Sequence, residues 1–511
     1  MRGPHNIWRL IRTGATFERT GAMAVALDAV DAPARVRAAA RILGWPFAWL
    51  GYHGDPDLPP VTRAITALGP AYIKFGQILS TRPDVVGPEL AQQLSMLQDR
   101  LPPFSQADAR RIVAEDLGQP VEALFSEFSE PVAAASIAQV HRARRADNGR
   151  EVAVKVLRPS VQSGFRRDID AFHFAAGMIE RISPATRRLR PRDVVSHFES
   201  VVTGELDLRR EAANASEFAE NTQNDEGMRV PRPHWHLSAR RVLTADWAEG
   251  VAMGDVGALQ AAGHDMPGLA ARVLQLFLQH ALRDGFFHAD MHQGNLKVAA
   301  DGDVVIYDFG IMGEIDEYTR RVYAEILMGF IRRDYMRVAR VHFEAGYVPR
   351  DRDMAEFARA LRAVGEPIFG ADASRISMAN LLAYLFEVTE RFGMATRTEL
   401  ILLQRTMVVV EGVARSIDPQ INMWEVARPV VESYIRDNLG PKAAVRDLGR
   451  SAQVLARFAP LLPEFLERRM PELLREPEQV VVTPRRRSFG AGVALGAGVA
   501  LLSALIGAWL G

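Results

Sequence analysis

Two short motifs limit what this chain can be built around. Residues 288–295 read His-Ala-Asp-Met-His-Gln-Gly-Asn, and Asp308, Phe309 and Gly310 follow, the two aspartates lying 308 − 290 = 18 positions apart. Between them stand the strand-like Leu296, Lys297 and Val298, the turn residues Asp301, Gly302 and Asp303, and the apolar run Val304, Val305, Ile306 and Tyr307. A loop of the form H-x-D-x-x-x-x-N, a hairpin and a D-F-G triplet bring two carboxylates and an amide to one end of two adjacent strands. D-F-G alone arises by chance; both motifs at this spacing do not.

Such a constellation suits phosphoryl-transfer chemistry. Asp290 is expected to orient or deprotonate the attacking water or hydroxyl, and Asn295 and Asp308 to hold Mg²⁺ against the phosphates of ATP. A cation on the α- and β-phosphates is also needed. Val152, Ala153 and Val154 lead into Lys155, a lysine at the end of a strand, and Glu211 is the best candidate for the carboxylate that aligns it.

Where a protein kinase carries G-x-G-x-x-G, this chain has Ala133, Ala134, Ala135 and Ser136, followed by Ile137, Ala138, Gln139 and Val140. Alanine does not take φ > 0 as freely as glycine, so this loop is expected to be stiffer and to approach phosphates differently. Ala133, Ala134, Ala135, Ser136 and Val140 are the expected nucleotide neighbours. No A-P-E segment follows Gly310; a helical pattern over 317–333 begins almost at once. A rival reading makes His288, Asp290 and His292, with Asp308, a metal-ligand cluster. It leaves Lys155 and Asn295 unexplained.

The expected fold class is α+β: a protein-kinase-like bilobal fold with a helical N-terminal extension and one C-terminal transmembrane helix. Residues 131–248 form the β-rich lobe, where Asn148-Gly149 between alternating segments marks a hairpin and 241–247 a further strand. Residues 165–181 and 192–220 read as helices within it, and 249–474 as a helical lobe. Residues 58–130 read as helices broken by Pro83, Pro88, Pro102, Pro103 and Pro120. In 1–57, Arg9, Arg12 and Arg19 interrupt the apolar residues, so no signal peptide forms; the segment reads as an amphipathic helix on a membrane surface or as a helix packed on the protein. Residues 475–488 read as a linker. Residues 489–511 carry no charge and would extend about 30–35 Å as a helix, the thickness of a bilayer core. Arg485, Arg486 and Arg487 before them would keep the preceding domain in the cytoplasm, and Gly492 and Gly496 would offer a helix-pairing face. Absence of cysteine excludes disulfides, thiolate zinc sites and iron–sulfur clusters. Lys+Arg 62 against Asp+Glu 62 leaves no global charge for nucleic acid.

Beyond the alanine-rich loop, two motifs complete a pattern. Lys74, Phe75, Gly76 and Gln77 form K-x-G-Q, and Glu205, Leu206 and Asp207 form E-x-D, with Glu211 and Asn214 following. From about residue 58 to 313 the chain resembles the UbiB family of atypical, protein-kinase-like proteins. The resemblance implies that the K-x-G-Q extension folds over the nucleotide site, with Lys74 and Gln77 near the phosphates and Glu205 and Asp207 close by. It further implies an ATPase or kinase of the bacterial inner membrane that supports ubiquinone biosynthesis. The implied partners are ATP, a membrane lipid or prenylated quinone precursor, and the biosynthetic enzymes. A small-molecule or protein phosphotransferase and a non-catalytic nucleotide- and lipid-binding module are the alternatives. One departure stands out: the family loop commonly reads H-A-D-P-H-P-G-N, and Met291 and Gln293 replace the prolines, so some pre-set φ is lost.

Overall fold

The computed structural model describes residues 3–29, 45–80, 102–182, 191–370 and 398–438, together with 38, 90, 93–94, 97, 387–388, 391–394 and 440. The chain divides into two compact units, one built of residues up to Ala212 with Pro233–Trp247, the other of Ala213–Arg232 and the chain from Ala248.

In the first unit an antiparallel sheet has the order β1-β2-β3-β5, with β1 Phe125–Ala134, β2 Ala138–Arg145, β3 Glu151–Leu157 and β5 Val242–Asp246. Side chains of a strand alternate between faces. Val152, Val154 and Val156 therefore share one face, fully buried with Ile112 and Val113. Those two belong to the helix Gln106–Leu117, which Ser105 caps by accepting the N–H of Asp108 and which ends at Gly118 in the left-handed region. Lys155 falls on the other face. A second core gathers helices α1 Gly3–Thr20, α2 Ala22–Ala29, α3 Pro60–Leu68 and α4 Pro70–Ser80. It also takes in the later helices Val161–Ile182 and Pro191–Glu205. Phe75 stacks on Phe172 at 5.0 Å and meets Phe198 edge-on at the same distance, which anchors the helix carrying Lys74 and Gln77.

Two details differ from the sequence reading. The edge strand β1 was not expected, because Ser126, Glu127, Ser129, Glu130 and Pro131 spoil its alternation; its pairing with β2 shifts register three times, as edge strands with proline permit. The helix expected over 192–220 is two helices, Pro191–Glu205 and Leu208–Asn221. Asp207 breaks it, its carboxylate accepting the N–H of Arg209 at 3.2 Å.

The second unit holds a small sheet of order β4-β9-β8-β6, with β4 Met228–Arg229, β6 Val251–Ala252, β8 Leu296–Val298 and β9 Val304–Ile306. A pair β7 Phe286–His288 and β10 Met312–Glu314 lies in the same unit. Its core joins the helix Met266–Gln279 to the long helix Thr398–Ile417 and to Met423–Asn438. The helices Glu317–Ile331, Tyr335–Glu344 and Met354–Gly370 enclose another cluster around Phe357 and Leu361.

The expected C-terminal transmembrane helix is corrected, and with it the single-span placement in the inner membrane. Among the described residues no helix is long and apolar enough to cross a membrane. The longest fail for a physical reason: Val161–Ile182 carries Arg166, Arg167, Asp168, Asp170, Glu180 and Arg181, and Thr398–Ile417 carries Glu399, Arg405, Glu411 and Arg415. The span expected at 489–511 and the linker at 475–488 lie outside the described residues.

Candidate active site

Each unit carries its own set of the expected residues. In the first, Lys155 Nζ lies 2.9 Å from both carboxylate oxygens of Glu211. The strand register puts Lys155 opposite Val140. Glu211 stands in the first turn of the helix Leu208–Asn221, which Leu208 and Ala212 fasten into the core. The Leu208 N–H donates to the Arg240 carbonyl at 3.0 Å.

Ala133 and Ala134 end β1, opposite Val140 and Gln139. Ala135 and Ser136 form the turn, in which the Ala135 N–H donates to the Ala138 carbonyl at 2.8 Å. The Ser136 hydroxyl is fully buried. Behind the turn, the Gln139 amide accepts the Phe104 N–H at 3.0 Å and meets the buried His141 ring at 2.9 Å.

The K-x-G-Q lysine does not stand alone. Lys74 Nζ lies 2.8 Å from a Glu205 carboxylate oxygen, both side chains largely buried. Gln77 donates instead to the Leu97 carbonyl at 3.4 Å. Gly76 allows a close approach: a Cβ there would stand 2.5 Å from a Leu97 methyl, which would have to move. Asp207 turns to Arg209, whose guanidinium holds its carboxyl below the usual range. Glu205 therefore meets Lys74, while its E-x-D partner pairs locally.

In the second unit His288 links the two diagnostic motifs. Its Nε2–H donates to the Asp308 carbonyl at 2.9 Å, and its Nδ1 accepts the Asp290 N–H at 3.1 Å. Burial pushes this imidazole toward the neutral form. The Asn295 amide nitrogen donates to the Asp290 carbonyl at 2.9 Å, the Tyr307 hydroxyl to the Gly294 carbonyl at 2.6 Å, and the Asn214 amide to the Phe309 carbonyl at 2.9 Å. Asp308 itself sits at φ 66, a left-handed conformation that non-glycine residues seldom take.

These contacts take His288 out of the rival metal cluster. Both ring nitrogens of His288 are occupied by backbone, and His292 Nδ1 accepts the Gly294 N–H at 2.9 Å. Among the described residues no group of three or more histidines and carboxylates is placed to hold a metal. Asn295 and Asp308 suit a different cation. With the Asn295 nitrogen engaged, its amide oxygen is left as a hard oxygen donor, and the Asp308 carboxylate is another, the donor type that Mg²⁺ takes when phosphates supply the rest.

The sequence reading missed what backs the loop. Thr406, on the helix Thr398–Ile417, shares its hydroxyl proton between the Leu402 carbonyl at 2.8 Å and the Ala289 carbonyl at 3.1 Å, and Gln293 donates to the Ser416 hydroxyl at 2.6 Å. Met291 is fully buried in the unit's core. The two missing prolines are thus replaced by a side-chain tether and an apolar anchor. Arg405, next to Thr406, is lowered by burial while the charge of Asp290 opposes that shift. No local signal marks these residues, because the contacts that join helix and loop span more than a hundred positions.

The ABC1 atypical kinase-like domain matches residues 96–342, and the UbiB helical domain matches residues 361–422. A protein named "Probable protein kinase UbiB" from Aeromonas salmonicida is 40% identical over 470 residues, covering 89% of this chain and 86% of its own. One of the same name from Edwardsiella ictaluri is 41% identical over 420 residues, covering 81% and 77%. The solved structure of Rv3197 from Mycobacterium tuberculosis, in complex with erythromycin, is similar with a TM-score of 0.50 at 25% identity, covering 64% of this chain and 83% of that one.

Proposed function

The chain belongs to the UbiB family of ABC1-type atypical kinase-like proteins, and we propose that it is a Mg-ATP-dependent ATPase or phosphotransferase acting in ubiquinone biosynthesis. The observation that carries this reading is the double engagement of His288, which ties the Asp290 loop to the Asp308 turn through one neutral ring. The ring holds the backbone at both motifs, so the stretch that carries the Asp290 carboxylate and the one that carries the Asp308 carboxylate are tied to each other.

Lys155, aligned by Glu211, neutralises the α- and β-phosphates. Asn295 and Asp308 would hold the magnesium ion, which would neutralise charge on the phosphates. Asp290 accepts the proton of the attacking water or hydroxyl and directs its lone pair in line with the leaving oxygen. A prenylated phenol precursor or a biosynthetic enzyme is the partner this reading expects.

Phosphate release by the purified full chain, with and without prenylated phenols, tests it beside Asp290→Asn and Asp308→Asn. Turnover that both substitutions abolish supports the reading. Labelled phosphate appearing on the phenol or on a protein makes it a phosphotransferase. Mg-dependent nucleotide binding without turnover under any condition leaves only the binding module.

A further inference from the structure

A phosphate loop built of alanines raises the question of what holds it in place, and the first unit contains an answer outside every motif discussed so far. Arg158 leaves β3 three residues after Lys155. Its Nε and Nη2 donate to the same Ala135 carbonyl, at 3.0 and 2.8 Å, and its backbone N–H donates to the Ile137 carbonyl at 2.8 Å. One residue thus supplies three donors to two carbonyls, those of Ala135 and Ile137, in and beside the turn. The guanidinium lies 5.7 Å from the centre of the Phe104 ring, whose own N–H donates to Gln139 on β2. Ser160, two positions on, stands at φ 60, and the Val161 N–H returns to the Arg158 carbonyl at 3.3 Å. The chain therefore turns sharply straight after Arg158 and keeps its backbone against the loop.

We propose that Arg158 is a positioning residue for the nucleotide: by gripping the Ala135 carbonyl it sets where residues 133–136 stand relative to the phosphates that Lys155 meets. The proposal rests on the nucleotide reading of that site. Lys155 lies opposite Val140 and Leu157 opposite Ala138, so the phosphate lysine and the loop clamp leave the same strand within one turn of the hairpin. A glycine loop closes over its ligand by changing φ; this one, with Cβ atoms at 133–135 and a forked cation on its carbonyl, is set beforehand. Charge-assisted donors from a planar fork hold geometry that a single ammonium does not.

The experiment compares wild type, Arg158→Lys and Arg158→Gln as full chains, reading hydrogen exchange at the amides of 134–138, thermal unfolding, and affinity for Mg-ATP and Mg-ADP. Arg158→Gln is expected to speed exchange at those amides and to weaken nucleotide binding by about tenfold, with Lys recovering only part of each. If Arg158→Gln does not fold, Arg158→Lys, which keeps stem and charge, decides by the same readouts. Unchanged loop exchange, or faster exchange with unchanged affinity, in a folded variant overturns the proposal alone. Wild type that binds neither nucleotide overturns it together with the site reading, and the exchange data still separate a structural clamp from none.

Discussion

Lys155 and Glu211 are 56 positions apart in the chain, yet the ammonium sits 2.9 Å from both oxygens of the carboxylate, with 18% and 11% of the two side chains exposed. Removing one partner of such a pair leaves the other charge poorly solvated. Glu211→Gln and Lys155→Met should each lower stability by about 1–3 kcal/mol. The double change Lys155→Met with Glu211→Leu should recover most of that loss, because neither charge is then stranded. Nucleotide binding should be lost in all three. Chemical denaturation beside nucleotide titration checks both halves; a double variant less stable than the sum of the singles would contradict the argument.

Asp308 holds a left-handed conformation that glycine takes without penalty. Asp308→Gly should therefore be more stable than Asp308→Ala by about 1 kcal/mol, while both lose Mg-dependent nucleotide binding. Equal melting temperatures for the two would mean that the backbone there is not strained. The ordering separates a residue kept for its carboxylate from one kept for its fold.

Most of what could be read beforehand was local, the pairing of Lys155 with Glu211, 56 positions on, being the exception. The spacing of Asp290, Asn295 and Asp308 lies within one loop and one hairpin, and β3 announces itself by Val152, Val154 and Val156. The strand β1 did not, since edge position rather than alternation makes it a strand. Arg158 was invisible because its acceptor is a carbonyl, which every residue has. Gln293 looked like a lost proline, and only the fold brings Ser416, 123 positions on, to its amide. The membrane span expected from the length of the uncharged stretch 489–511 and the arginines before it falls outside the described residues, among which no helix is long and apolar enough to cross a membrane.

A Cβ at Gly76 would lie 2.5 Å from a Leu97 methyl and 3.2 Å from one of Ile65, so a side chain there displaces both. Gly76→Ala would gain helix propensity on the helix Pro70–Ser80 but must push these neighbours aside. A net destabilisation of about 1–3 kcal/mol is expected, seen as a lower denaturation midpoint. A more stable variant would show that the contact yields easily.

Acid should weaken the second unit through His342. Burial pushes this histidine down to about 4, and its Nδ1–H donates to the Val338 carbonyl at 2.8 Å. The folded value lies below the unfolded one, so above about pH 6.5 both states are neutral and nothing is lost. As pH falls from there toward 4, only the unfolded chain takes up the proton, and stability drops by up to about 3 kcal/mol. Denaturation midpoints across that range should show this slope, and His342→Gln should flatten it.

The link from Thr406 to the Ala289 carbonyl bears on how the protein can be cut. The kinase-like match ends at residue 342, and an expression fragment designed on that border would look complete by homology. It would lack Thr406 and Ser416, together with Leu403, Met407 and Val410, which share a core with Ala289, Met291 and Leu296. The loop bearing Asp290 would then have water where it now has a wall. Inactivity of such a fragment would say nothing about the chemistry of the whole chain, whose smallest dissectable piece on this side reaches at least to Ile417.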